Sequence, residues 1–543
     1  MHRSVIASLG CVVAIGAPAL PTSAAAIYRT VVLSGTQAPG TPTGAKFRAF
    51  SNVLLTSDGK TVFSADLQTG SGGVTSQNST GIWSEALGPL SLVARIGDQA
   101  PGTPTGTRFQ SSDVPIIGPD RQVAFVAYLT GAGVTSLNDT TVWAQQSGGA
   151  LTLVAREGDP IPNAPAGTTI ADIAAERQLA IGPAGKTSFA AFLKGPAANG
   201  RGIVSSDGTT LALVAQSGTQ AAGLPAGANY GTFEYGMLGT DAQANVAFFG
   251  LLQVNGATVT DASDDAIWHG NAGNLRLVAR QGDPAPGAPA GTAFGNLGPP
   301  TVNANGQVAF RAELPGGGSG IWSERSGGTL AAVARAGEQA PGTPAGATFD
   351  YLRDQAINDA GRTAFVGSLE LNDGGVTSSN DTGIWSDGSG ALALIAREGS
   401  QAPGTPPGAV FDLLDPPVMN GAGRVAFRAR LLSGSGGITA DNDLGVWAED
   451  PNGVLSLVVR EGDPFELAPG DVRTIQGVGF RDDTGPSDFP GAAYTDDYTL
   501  AFSLLFTDGT DGVFTATLVP EPATAGLALL AAFAMRRRSR RRI

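Results

Sequence analysis

The chain is poor in the residues that carry most enzyme chemistry. Of 543 residues one is cysteine, Cys11, and two are histidine, His2 and His269. Cys11 and His2 fall in an N-terminal stretch that reads as a secretory leader. The processed protein therefore has no disulfide, thiol nucleophile or thiolate metal site. A single remaining histidine excludes a His cluster for zinc. Charged residues make up only 15%. No apolar run reaches the roughly 20 residues of a spanning helix. Helical periodicity is absent between the two ends, and no phosphate loop or dinucleotide fingerprint stands in context.

What is present is 78 glycines, 35 prolines and 42% hydrophobic residues. That composition is turn-rich and β-leaning rather than disordered. Residues 1–26 hold an early Arg3, an apolar stretch over 5–17 and the small-residue end Ala24-Ala25-Ala26, which predicts cleavage near Ala26. At the other end Val519-Pro520-Glu521-Pro522 precedes an apolar run over 523–535, followed by an Arg-rich tail from Arg536 to Arg542. Setting aside Arg3 and the six tail arginines leaves 26 of the 33 Lys plus Arg against all 47 acids, a net charge of −21 over residues 27–522. Such a balance argues against nucleic acid and anionic surfaces as partners of the central region, and suits divalent cations or plain solubility.

The C-terminal series of Pro-Glu-Pro, apolar segment and basic tail resembles the PEP-CTERM sorting signal. The resemblance covers residues 519–543. It implies recognition by an exosortase-type membrane protease, transient association with the inner membrane, and export to the surface or extracellular matrix of a Gram-negative bacterium.

Eight times the chain repeats a short block ending in Phe: Phe63, Phe125, Phe189, Phe248, Phe310, Phe365, Phe427 and Phe502. Loop-opening glycines at 35, 97, 158, 218, 282, 337, 399 and 462 recur at steps of about 61 residues. Each step holds four β-like runs, at 47–55, 61–67, 81–86 and 90–96 in the first unit, separated by turn-formers. Four antiparallel strands per unit without spacers predict an all-β, eight-bladed β-propeller over residues 27–518. A string of small sandwiches is the competing arrangement, for which 61 residues is short. The fourth strand is missing after Phe514, and a matching run stands at 28–33. The N-terminal strand is therefore expected to complete the eighth blade and close the ring.

All six tryptophans occupy one slot, shared with Val204 and Phe514. This reads as a buried anchor, since Val cannot act as a sugar-stacking platform. Arg95, Arg156, Arg280, Arg335 and Arg460 are each followed three residues later by an acid, predicting Arg–carboxylate pairs at the strand exit; Thr36 and Thr219 stand where Leu33 and Gln216 replace the Arg. His269 occupies a place held elsewhere by Ser, Ala or Thr, and reads as a surface substitution rather than a triad member.

The blocks at 303–310, 358–365 and 420–427 match Asn-x-x-Gly-x-x-Ala-Phe in full; in other copies Ser57 and Gly118 take the Asn place, and 241–248 lacks the Gly. This looks like the NxxGxxAF tandem-repeat surface proteins of bacteria. The resemblance implies a secreted repeat protein and supplies no catalytic residues. Physically, Asn and Gly at that spacing make the hairpin turn between first and second strands.

The loop between second and third strands is long in five units, and Asn-Asp recurs there at 138–139, 380–381 and 442–443. It is expected on the same face as the Ala-Pro-Gly-Thr-Pro loops between blades. Oxygen-rich loops suit Ca²⁺, with Asp139, Asp381 and Asp443 as candidate ligands, although Asn and Asp are also ordinary turn residues. Two function classes follow. One is a non-catalytic surface or matrix protein binding polysaccharide, cation or another protein. The other is a propeller-type polysaccharide lyase or glycoside hydrolase, which needs an acid/base set at the ring centre. Only the acid pairs Asp264-Asp265, Asp482-Asp483 and Asp496-Asp497 offer themselves for it.

Overall fold

The structure is a computed structural model that describes residues 25–174, 178–195, 200–233, 238–325, 327–480 and 493–520. The leader up to residue 24, Asp482-Asp483, Glu521-Pro522, the apolar run and the Arg-rich tail lie outside the described residues. Among the described residues no helix is long and apolar enough to cross a membrane.

The repeat folds into eight antiparallel sheets arranged as the blades of a propeller. Blade one runs Phe47–Leu55, Thr61–Leu67, Thr80–Ser84 and Ser91–Arg95 in spatial order. In blades one to seven the first strand lies innermost, where it meets the first strand of an adjacent blade. A bulge breaks this strand in blade after blade. Asn52 and Asp354 take it up with φ of 50° and 55°, a left-handed conformation that short polar side chains tolerate.

Closure follows the expected route. Ala25–Leu33 pairs with Asp511–Val519 as the outermost strand of blade eight, in a register that sets Tyr28 opposite Ala516 and Ala25 opposite Val519. The Tyr28 hydroxyl donates to the Val458 carbonyl of blade seven, and its ring meets Phe465 edge-on at 5.0 Å. Blade eight also carries an extra inner strand, Pro464–Ala468, hairpinned to Asp471–Gly479.

The core lies between blades. Trp83, Trp143, Trp268, Trp322, Trp385 and Trp447 are fully buried, each edge-on at 4.9–5.0 Å to an aromatic residue at the start of its blade's first strand or, for Trp322, shortly before it. Five of these indoles donate to a carbonyl of the loop preceding their own blade, as Trp385 does to Pro341 at 3.0 Å. The Trp slot is thus packing plus a loop tether. Gly383, two residues before Trp385, is required by the ring, because a Cβ there would stand 2.7 Å from it. In blade two Thr141 replaces that glycine and itself accepts the Trp143 indole N–H at 2.8 Å.

The Asn of the Phe blocks does more than form a turn. Asn358 Oδ1 accepts the backbone N–H groups of Ala360 and Arg362, while its amide donates to the Gly421 carbonyl of the next blade at 3.1 Å. Asn303 reaches the Asn358 carbonyl at 2.8 Å and Asn420 the Thr495 carbonyl at 3.0 Å in the same way. In blade one the residue in this place is Thr56, not Ser57: Thr56 Oγ1 accepts the Lys60 N–H and the backbone closes Thr56 N to Lys60 O. The one-residue offset arises because Ser57 has the turn polarity but not the backbone register. These turns stitch blade to blade around the axis on one face of the ring, here the turn face.

Candidate functional site

The opposite, long-loop face gathers the loops between blades and the loops between second and third strands. The interblade loop is built around a glutamine. Gln37 Nε2 donates to Ala38 O, Thr41 Oγ1 and Pro42 O while its Oε1 accepts the Gly44 N–H, and Gln99, Gln220, Gln339 and Gln401 repeat the arrangement. The long loops pack directly on these: the Ser71 hydroxyl donates to Gly44 O, and a Cβ on Gly72 would stand 2.1 Å from Ala45 N. Both loop sets are therefore fixed by the scaffold.

Within the Asn-Asp loops the asparagine is already committed. Asn138, Asn380 and Asn442 each accept the backbone N–H of the residue three before, Thr135, Thr377 and Thr439, at 2.8–2.9 Å. The aspartates that follow stand on separate blades, and among the described residues no three His, Cys, Asp or Glu side chains form a group able to hold a metal ion. Asp139, Asp381 and Asp443 instead each face one buried glutamate at the end of the same blade's fourth strand: Glu157, Glu398 and Glu461. Burial pushes all three glutamates up to about 7, and the neighbouring aspartate adds to the rise. Glu157 Oε2 accepts the N–H groups of Asp139 and Thr140 at 2.9 and 3.0 Å, so its carboxylate holds the start of the third strand. In blade four Gln281 does this with a neutral amide for Asp264 and Asp265.

The strand-exit arginines divide into two groups. Arg95, Arg335 and Arg460 pair with Asp98, Glu338 and Asp463 as expected. Arg156 and Arg280 do not pair with Asp159 and Asp283 through their guanidinium groups. They donate to the Asn138 and Ser263 carbonyls, and Arg397 likewise to Asn380. There the guanidinium takes a carbonyl of the loop between second and third strands, while the half-buried Asp159 accepts the Arg156 backbone N–H at 2.7 Å. Where the arginine is missing, the Thr36 and Thr219 hydroxyls donate to the Leu33 and Gln216 carbonyls.

Of the paired acids, Asp265 Oδ2 accepts the Leu297 N–H at 2.8 Å and Asp496 Oδ1 accepts that of Gly421 at 2.5 Å; both hold neighbouring blades together. His269 is not on the surface. It is 6% exposed, 3.1 Å from Asp241 Oδ2, and its other nitrogen lies 3.3 Å from the Arg276 guanidinium. The sequence reading missed this because the partner sits in the turn between the first and second strands of the same blade. It also missed a second set of acids two places after the Trp slot. Glu85, Glu324, Asp387 and Glu449 each accept the N–H of the residue opening the second strand, at Thr61, Val308, Thr363 and Val425.

The architecture defines an eight-bladed β-propeller. Residues 22–174, 162–320 and 316–526 match the model of a family of unknown function, DUF7453, and the chain belongs to that family. No curated protein matches the sequence. Solved structures with some likeness include an acylaminoacyl peptidase of Pyrococcus horikoshii, at 10% identity and TM-score 0.33 over 74% of this chain and 52% of that one. A Trypanosoma rangeli sialidase in complex with sialic acid is 7% identical, at TM-score 0.26 over 78% of this chain and 58% of that one. The Aleuria aurantia lectin is 10% identical, at TM-score 0.24 over 64% and 94%. The chain spans about half the length of the peptidase.

Proposed function

We infer that the protein is an exported, non-catalytic surface or matrix propeller whose long-loop face binds a polysaccharide, a cation or another surface protein. The observation that carries this is where the ring ends. The last strand of blade eight finishes at Val519, and Pro520-Glu521-Pro522, the apolar run and the Arg-rich tail follow at once. The folded domain thus abuts the segment that resembles an exosortase substrate. The repeat's ionisable side chains support a scaffold role, because they hold backbone N–H groups and neighbouring blades.

The experiment has two arms. Mass spectrometry of exported protein is expected to find no peptide from Arg536 onward; an intact tail in exported material rejects the sorting reading. A glycan-array and divalent-cation screen on residues 27–518 is expected to return a ligand without turnover. Cleaved saccharide products would reject the non-catalytic reading in favour of a lyase or glycoside hydrolase.

A further inference from the structure

We propose that, before C-terminal processing, the turn face of the propeller is its membrane-contact surface, lying on the lipid headgroups with blades eight and one nearest the anchor and the long-loop face held outward. The proposal rests on the reading of residues 519–543 as a membrane-bound sorting segment and adds to it an orientation.

The direction of the last strand is decisive. Asp511–Val519 runs from the long-loop end of blade eight to its turn end, and its partner Ala25–Leu33 begins at that same end. The chain therefore leaves the ring on the turn face. Only Pro520, Glu521 and Pro522 separate Val519 from the apolar run that starts at Ala523. From Val519 to Ala523 the extended chain spans at most about 14 Å. A membrane-embedded run thus brings the turn end of blade eight to within about 14 Å of the bilayer surface.

The residues around the exit suit that neighbour. Ile27, 61% exposed, pairs with Thr517 beside it. Arg29 reaches from blade eight to blade one, bonding Glu85 at 2.9 Å and approaching the Gly59 carbonyl at 3.5 Å, next to the exposed Lys60. Leu87, 41% exposed, sits in the turn just after Glu85. Apolar side chains beside cations form the pattern that lies in a headgroup layer.

The chain after leader removal has no cysteine, which permits single-site labelling. Residues 27–543 carrying Leu87→Cys, Gln243→Cys or Leu137→Cys are labelled with an environment-sensitive fluorophore and mixed with phosphatidylcholine–phosphatidylglycerol vesicles bearing a headgroup quencher. Flotation with the vesicles is scored first. Floating protein with strong quenching at 87 and 243 on the turn face, and background quenching at 137 on the long-loop face, is expected. Flotation with equal quenching at 137 and 87 overturns the orientation alone. Quenching at 87 without 243 means the ring stands on its rim, which also overturns it. Absence of flotation rejects the membrane-segment reading and the orientation with it.

Discussion

His269 Nε2 lies 3.1 Å from Asp241 Oδ2, and both residues are departures from the repeat in the same blade. Asp241 stands in the place of the stitching Asn, and His269 in a place held elsewhere by Ser, Ala or Thr. The two changes fit each other. Asp241 Oδ1 keeps the turn by accepting the Gln243 and Asn245 N–H groups, as Asn does in other copies. Its second oxygen, which in Asn would be a donor, receives the imidazole N–H and the Asn245 amide. Burial opposes ionisation of Asp241, but these bonds outweigh it and hold its carboxyl below the usual carboxylate range. Arg276 then faces the other ring nitrogen while bonding Glu324 of blade five at 2.6 Å.

That relationship predicts a coupled pair. Asp241→Asn or His269→Ser alone leaves a buried polar group short of a partner, at a cost of about 1–3 kcal/mol. The double variant restores the residue types used by other blades and is expected to cost less than the sum. Urea denaturation of the four proteins measures the coupling. Additive losses would show that the two residues act independently.

The asparagine ladder predicts a sharper asymmetry. Asn358→Asp keeps the Oδ1 contacts to Ala360 and Arg362 but replaces the N–H donor to Gly421 with an acceptor. No histidine stands by to supply a proton there, since the blade-six counterpart of His269 is Ser386. Asn358→Asp should therefore destabilise at least as much as Asn358→Ala, by about 1–3 kcal/mol at pH 7. A neutral effect would remove the interblade role assigned to this amide.

Much of this was legible in the sequence, and the boundary is physical. Strand count and ring closure follow from repetition alone: eight Phe blocks and a displaced strand leave one arrangement without a free edge. The Trp slot was equally readable, because Val204 and Phe514 substitute there as packing residues do. The roles of Gln37, Glu157 and Glu324 were not legible. Their partners are backbone N–H and C=O groups on other strands or loops, and those carry no residue signature. The Arg–acid rule succeeded at Arg95 and failed at Arg156 for the same reason: the winning acceptor is the Asn138 carbonyl.

Stability should rise on mild acidification, opposite to the common trend. Glu157, Glu398, Glu449 and Glu461 titrate near 7 in the folded ring, chiefly because they are buried, against an ordinary 4.5. The folded state then binds more protons than the unfolded state between about pH 4.5 and 7, so stability falls as pH rises through that window. Melting temperature at pH 5.5 should exceed that at pH 8. Glu398→Gln with Glu461→Gln should flatten the dependence, since Gln281 already performs the same backbone contact uncharged. A profile as steep in the double variant as in the parent would assign the effect elsewhere.

The same acid pairs give the Ca²⁺ expectation its final form. Asp139, Asp381 and Asp443 stand on separate blades, among the described residues no three acids form a group able to hold an ion, and the loop asparagines accept backbone N–H groups within the turn. Each blade offers its own aspartate, the buried glutamate beside it and backbone carbonyls, with Asp172 also near Glu157 and Asp441 near Glu461. So few charges correspond to affinity of order 10⁻⁴–10⁻³ M, as in extracellular modules. A cation there would also offset the repulsion that raises Glu398 and Glu461, so binding should strengthen from pH 6 to pH 8 as the glutamates ionise. The measurement is a thermal melt at both pH values with millimolar Ca²⁺ against chelator. A shift at pH 8 that is reduced in Asp381→Ala and Asp443→Ala supports the sites. No Ca²⁺-dependent shift, or one unchanged in the two variants together, leaves these aspartates as turn residues beside a strand-capping glutamate.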